Sequence, residues 1–305
     1  MQLLQKIKSA FQSFWSLIKQ TFSNWKDRDP FNNSNIIAYY TIFSLPGLLV
    51  IVINLSGYFF GKEAVTNQIS GQIGGIIGGD TAKDIQAIIA KASQSKGITL
   101  SSILGFIVLL FGATGVFYQL QQMLNKIWEV EVKPKQKIWK VLKDRLFSFG
   151  LIIVIAFLLL VSLILSAGLS ALSDWVATHI SEYLMVAFRI IDIIVSTAVI
   201  TLLFASIYKF LPDVKVEWKY VWGGAFFSSI LFVIAKFALG IYFGNSNPAS
   251  TYGAAGSIVL IMLWVSYASL ILLFGAEFTK VYATQNGKNL APVEGARLIE
   301  KKDNK

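Results

Sequence analysis

The sequence predicts an all-α, polytopic integral membrane protein with six transmembrane helices, and three observations carry that prediction. The first is composition. The 305 residues are 55% hydrophobic and 14% charged, with a mean hydropathy of +0.61, whereas soluble domains carry about 25% charged residues. The second is length of apolar run. Residues 36–60, 98–120, 146–168, 184–210, 220–243 and 256–281 are each long enough to cross a bilayer, which takes about 20 mostly apolar residues. The third is the placement of cations. With six spans, 21 Lys and Arg fall in the segments on one side and 4 on the other, and this bias places both termini in the cytoplasm.

Taken in order, residues 1–29 form an amphipathic helix. Leu3, Ile7, Phe11, Phe14, Ile18, Phe22 and Trp25 recur at spacings of three and four, which is one helical face. Such a face, with Lys6, Lys8 and Lys19 beside it, suits the membrane interface; a cap packed on the bundle is the alternative. No continuous apolar stretch or small-residue cleavage site marks this segment as a secretory signal. Asp29 and Pro30 end this helix and start the next, Asp29 as N-cap and Pro30 in the first turn.

The membrane domain covers 30–283. Pro46 interrupts the first span, where it frees a backbone carbonyl and allows a kink that lines a cavity. The outer loop, 61–97, places Gly71, Gly75 and Gly79 four residues apart, a spacing that lets helices approach closely. Either a re-entrant helix or a flexible loop accounts for it. Similar pairs at Gly57/Gly61 and Gly240/Gly244 permit an oligomer without requiring one. Residues 133–145 form a basic amphipathic connector. Residues 284–305 are polar and are expected to be a disordered cytoplasmic tail.

Four ionisable residues fall within spans: Arg189, Asp192, Lys236 and Glu277. Each is costly in hydrocarbon unless it faces a partner or water. Arg189 and Asp192 share a helix face, and the rise per residue places Lys236 of the next span at similar depth. These three form a candidate outer polar cluster lining a cavity. Glu277 lies about one turn from the inner end of its span, with Lys280 or Arg145 as expected partners. Ion pairs that only fix helix register are the structural alternative for all four. The glycines around Tyr252, Gly253 and Gly256 form either a gate or a tight packing contact.

Several chemistries are missing from the sequence. The chain has no Cys and one His, His179, so thiol catalysis and His-rich metal sites have no residues to build on. No phosphate-binding glycine loop or nucleophile elbow is present. The expectation is a protein without enzymatic activity, cofactor or metal. Nucleic acid is not an expected partner, since the basic segments lack any reader motif.

Several segments resemble one family. Ala38-Tyr-Tyr-Thr-Ile-Phe-Ser-Leu-Pro46, Gly112-Ala-Thr-Gly-Val-Phe-Tyr-Gln-Leu120 with Leu124-Asn-Lys-Ile-Trp128, and Tyr252-Gly-Ala-Ala-Gly256 with Leu272-Leu-Phe-Gly-Ala-Glu-Phe-Thr279 occur in order. Together with Lys236 before Gly240, they resemble the YihY/BrkB membrane proteins over roughly residues 30–285. The resemblance implies a bacterial inner-membrane protein with six helices. Members once carried the label "ribonuclease BN", which the missing histidine constellation argues against on chemical grounds. It also implies transport, with a lipid or other amphiphile moved for envelope assembly. Membrane lipids and a periplasmic lipid-transport or envelope partner are the implied partners. A non-transporting scaffold that anchors envelope or periplasmic machinery through residues 61–97 is the alternative.

Overall fold

The computed structural model describes residues 2–61, 63, 65–67, 69–71, 83, 86–87, 115–133, 150, 154, 182–246, 255–287 and 291–299. Long helices dominate them. α1 is Gln2–Asp27, α2 is Pro30–Phe60, and α3 covers residues 115–128. α4 is Glu182–Phe210, α5 is Trp218–Ser246 and α6 is Gly256–Gln285. Four short strands lie between and after them: β1 (Val130–Val132), β2 (Val214–Lys215), β3 (Ala291–Pro292) and β4 (Ala296–Leu298).

Among the described residues, three helical stretches are long and apolar enough to cross a membrane: Ile190–Phe210, Trp218–Tyr242 and Gly256–Gln285. They match the fourth, fifth and sixth expected spans. The first expected span lies within α2, which runs unbroken through Pro46. All but a few residues of the second and third expected spans fall outside the described residues, as does most of the loop 61–97. Large apolar side chains point outward along the helices, among them Ile190, Ile194, Phe226, Ile234, Phe237 and Ile241. A helix apolar on every side is stable where its outer face meets lipid or protein.

α6 is the central helix. It packs against α1, α2 and α5, while α4 packs against α5. Glycines set the closest crossing. A Cβ on Gly275 would collide with Ser228 of α5 and with the Tyr208 hydroxyl, and one on Gly224 would collide with Thr279. Polar side chains join the helices at the same place. The Tyr208 hydroxyl donates to the Leu272 carbonyl at 2.9 Å and pairs with Ser228 Oγ at 2.8 Å. Such hydrogen bonds complement small-residue contacts where helices have no hydrophobic drive to associate.

The most deeply buried side chains lie at one end, the base, where α3, α4 and α6 stop and α2 and α5 begin. Leu124, Trp128, Leu211, Val214, Val216 and Val221 are fully or nearly fully buried there in one cluster. Asn125 clamps the turn after α4: its Nδ2 donates to Asp213 Oδ2 at 2.8 Å, and its Oδ1 accepts from the Asp213 amide at 2.8 Å.

The C-terminal segment corrects the expectation of a disordered tail over 284–305. α6 continues to Gln285, and β3 and β4 pair with inter-helix connections. Val214 faces Pro292 in one antiparallel ribbon, and Val130 faces Leu298 in the other. The amide of Val293 donates to the Asp213 carbonyl and that of Ile299 to the Glu129 carbonyl. The polar composition is real, but backbone pairing does not depend on side-chain polarity. Residues 288–290 and 300–305 lie outside the described residues.

α1 is helical over Gln2–Asp27 and, among the described residues, docks by one edge. Leu17 and Thr21 are buried, and Leu17 packs on Phe278 and Val281 of α6. Phe11, Phe14, Trp15 and Phe22 remain exposed. Pro30 stands in the first turn of α2 as predicted, but the Asp29 side chain makes no capping hydrogen bond. The Asn33 side chain, donating to the Arg28 carbonyl at 2.7 Å, ties down the junction instead.

Candidate functional site: a charged cavity at the base

Four charged side chains meet where the α1–α2 junction, the end of α3 and the last turns of α6 converge. Glu277 of α6 is fully buried. Its Oε1 accepts from Asn24 Nδ2 at 3.0 Å, and its Oε2 lies 3.0 Å from Arg28 Nε. Arg28 also donates from Nη2 to Glu129 Oε1 at 2.9 Å and from Nη1 to the Lys126 carbonyl at 2.7 Å. Lys280 Nζ reaches the same Glu129 oxygen at 2.9 Å. The quartet holds two formal positive and two formal negative charges. That balance is what makes a buried carboxylate tolerable here, since removing one partner would strand the other.

Of the two partners expected for Glu277, Arg145 lies outside the described residues and Lys280 reaches outward to Glu129. Arg28 holds the Glu277 carboxylate instead, from a connector that comes back across the base of α6. The Glu129 carboxyl is held below its ordinary range: burial pushes it up, but the hydrogen bonds and charges of Lys280 and Arg28 outweigh burial.

Two cavities flank the quartet. One, of about 450 Å³, is lined by Trp25, Arg28, Asn32, Lys126, Glu129 and Glu277, with other residues of α2 and α6. The other, of about 520 Å³, is lined by Gln20, Asn24, Asp27, Arg28, Glu129 and Lys280, among others. Arg28 and Glu129 stand in the wall between them. Asp29 at φ 51° and Glu129 at φ 55° are the non-glycine residues with left-handed backbone among those described. Both line the first cavity. Left-handed residues cost about 1–3 kcal/mol each and gather at functional sites.

Of the expected outer cluster, two side chains fall among the described residues. Asp192 is half-buried on α4 and Lys236 is exposed on α5. The Thr201–Ser229 hydrogen bond sets an antiparallel register that brings both toward the same end of the helix pair. Arg189 belongs to α4, but its side chain lies outside the described residues. Pro46 is half-buried inside α2, and Gly256 is buried at the start of α6. Tyr252 and Gly253 fall outside the described residues. No group of three or more His, Cys, Asp or Glu that could hold a metal ion occurs among the described residues.

Arg28, Glu129 and Asn24 are not legible as site residues in the sequence. Each lies in a polar segment beside a span, where charge is the ordinary reading. The one available signal is Glu277, whose place inside a span calls for a cation from elsewhere in the chain.

The chain matches the family described as Virulence factor BrkB over residues 21–297. It is 25% identical over 268 residues to the ribonuclease-like protein YfkH of Bacillus subtilis, covering 86% of this chain and 93% of that one. It is 24% identical to a UPF0761 membrane protein of Teredinibacter turnerae, covering 87% of this chain and 60% of the other. A UPF0761 membrane protein of Saccharophagus degradans is 23% identical, with 92% and 63% covered. The chain therefore spans about three fifths of the length of the last two relatives. No solved structure matches it. The matched region runs from the end of α1 into β4 and so covers the charged quartet of the base, and the chain belongs to the Virulence factor BrkB family of membrane proteins.

Proposed function

We propose that this protein is a transporter or translocation factor for an amphiphile, working from the inner membrane in envelope assembly. The observation that carries the reading is the cavity beside Arg28 and Glu277. It joins buried charge, left-handed backbone and open volume at the end of the central helix. A bundle held only by packing has no need of a fully buried carboxylate there, because a well-packed apolar replacement is as stable or more so.

In this reading the base faces the cytoplasm, in keeping with the 21 to 4 distribution of cations. α1 lies in the interface, with Phe11, Trp15 and Phe22 toward acyl chains and Lys8, Lys19 and Lys26 toward headgroups. An amphiphile enters the cavity from the inner leaflet beside α1. Six spans and the outer polar cluster belong to the same proposal, with Asp192 and Lys236 further along the path.

The test is protection of a single cysteine at Asn32→Cys, on the exposed rim of the 450 Å³ cavity. A short-chain phospholipid should slow its alkylation more than a non-ionic detergent of equal chain length at equal occupancy of the micelle. Equal alkylation in both would count against an amphiphile site.

A further inference from the structure

We propose that the cleft beneath α1 is a site for an anionic phospholipid of the inner leaflet. Its acyl chain lies between α1, α5 and α6, and its phosphate is held by Lys19 and Lys26. It is a resident lipid, seated outside the charged cavity. The inference rests on α1 lying in the membrane interface, as proposed above.

The first support is the cleft itself. Phe22 and Trp25 of α1, Leu231 and Ile234 of α5, and Leu270 and Phe274 of α6 line a space of about 330 Å³. Every residue of its lining is aliphatic or aromatic. Its mouth opens to the outside of the bundle, where Phe22 is 54% and Ile234 59% exposed. Trp25 packs edge-on to Phe274, with centroids 5.6 Å apart. The same indole lines the charged cavity, so it divides the two spaces. A methylene chain leaves water for such a recess at a gain and brings no polar group that the lining would leave unpaired.

The second support is the order of faces around α1. Leu17 and Asn24 meet α6, through Phe278 and Glu277. Next round the helix comes the exposed stripe of Phe11, Phe14, Trp15 and Phe22. Beyond it Lys8, Lys19 and Lys26 stand on one line, spaced by eleven and seven residues, close to whole turns. All three are exposed. Lys19 and Lys26 lie three residues before and four residues after Phe22, so they flank a side chain of the cleft. Long lysine stems lie along apolar surface of this kind and carry the ammonium to headgroup level.

The third support is charge. Asp27 is the one carboxylate of α1, and it lines the polar cavity on the side of the base. Among the described residues, neither Lys19 nor Lys26 enters an ion pair. The outward flank of α1 is therefore a positive edge beside an apolar cleft, and a phosphodiester on an acyl chain complements both. A zwitterionic lipid brings its own ammonium to the same edge and complements it less well. α1 also carries Asn24, which holds Glu277, and leads directly into Arg28. A lipid that seats α1 steadies the wall of the charged cavity without entering it.

The experiment is native mass spectrometry of the full chain in detergent, with equal amounts of phosphatidylglycerol and phosphatidylethanolamine of identical acyl chains. The wild type should retain the phosphoglycerol lipid over the aminophospholipid by at least about fivefold, the effect of one lysine near an anionic surface. Lys19→Gln with Lys26→Gln, at two exposed positions, should bring that ratio close to one. Ala235→Trp, which fills the cleft, should lower retention of both lipids. A second measurement follows α1 itself: the chain has no cysteine, so Trp15→Cys carries a single environment-sensitive fluorophore. In phosphatidylglycerol vesicles its emission should be that of the membrane interface. Equal retention of the two lipids by the wild type, or an unchanged ratio in the double lysine variant, overturns the headgroup assignment and with it the proposal. Unchanged retention in Ala235→Trp overturns the cleft as the seat of the chain. A lipid-free dimer would put a second copy in the cleft and overturns the proposal as well. Emission as in water overturns the interfacial reading of α1, whereas interfacial emission with failed lipid results removes the site alone.

Discussion

Arg28 Nε forms an ion pair with Glu277 Oε2 at 3.0 Å. The pair links the α1–α2 junction to the central helix, while Asn24 holds the other carboxylate oxygen of Glu277. Arg28→Gln should therefore destabilise the protein by about 3 kcal/mol, the lower end for a broken buried pair because Arg28 is partly exposed. Arg28→Gln with Glu277→Gln should recover much of that loss. Thermal unfolding in detergent of the two single variants and the double variant measures the coupling.

The α5–α6 crossing predicts a contrast between glycines. Gly275→Ala drives a methyl group into Ser228 and the Tyr208 hydroxyl, and overpacking of this kind costs about 1–3 kcal/mol. Gly240, on the same α5 that carries Ser228, has open space where a Cβ would stand. Gly240→Ala should be neutral or stabilise by up to about 1 kcal/mol through helix propensity. Melting temperatures of the two variants in one detergent decide it, and equal losses would place the crossing elsewhere.

The C-terminal ribbon predicts protected amides. Val293, Ala296 and Ile299 donate to Asp213, Val293 and Glu129 carbonyls respectively. Hydrogen exchange at these positions should be slowed relative to an unstructured peptide, and removing residues 291–305 should raise exchange at 130–132 and 214–215. Exchange at the free-peptide rate would restore the disordered tail.

Glu129 predicts the acid response of the base. Its folded carboxyl is held below the ordinary range, because Lys280 and Arg28 outweigh the opposing effect of burial. Its stabilising contribution is therefore complete above the ordinary carboxylate range and is lost as pH falls through the lowered folded value. Melting temperature followed from neutral to strongly acidic pH should fall less steeply in Glu129→Gln than in the wild type. Identical slopes would remove Glu129 from the network.

Much of this architecture is visible in the residues. Long apolar runs report themselves, so 184–210, 220–243 and 256–281 match α4, α5 and α6 closely, and α1 follows from its three-and-four spacing. Glu277 stands out because a carboxylate among apolar residues demands an explanation. Its partner does not stand out: Arg28 sits between Asp27 and Asp29, where a cation beside a span reads as topology. The ribbons are hidden for another reason. Strands of two and three residues have no measurable periodicity, and Val130 pairs with Leu298 from a distant part of the sequence.

The central claim is that the charged cavity serves the passage of an amphiphile, and lipid movement in proteoliposomes tests it most directly. Full-length protein is reconstituted with a trace of fluorescent phosphatidylethanolamine, and the fraction accessible to a membrane-impermeant quencher is followed over time. The account predicts faster loss of the protected fraction than in protein-free vesicles, and a return to the protein-free rate in Glu277→Gln inserted at equal density. Movement at the protein-free rate in the wild type, or an undiminished rate in Glu277→Gln, would contradict it.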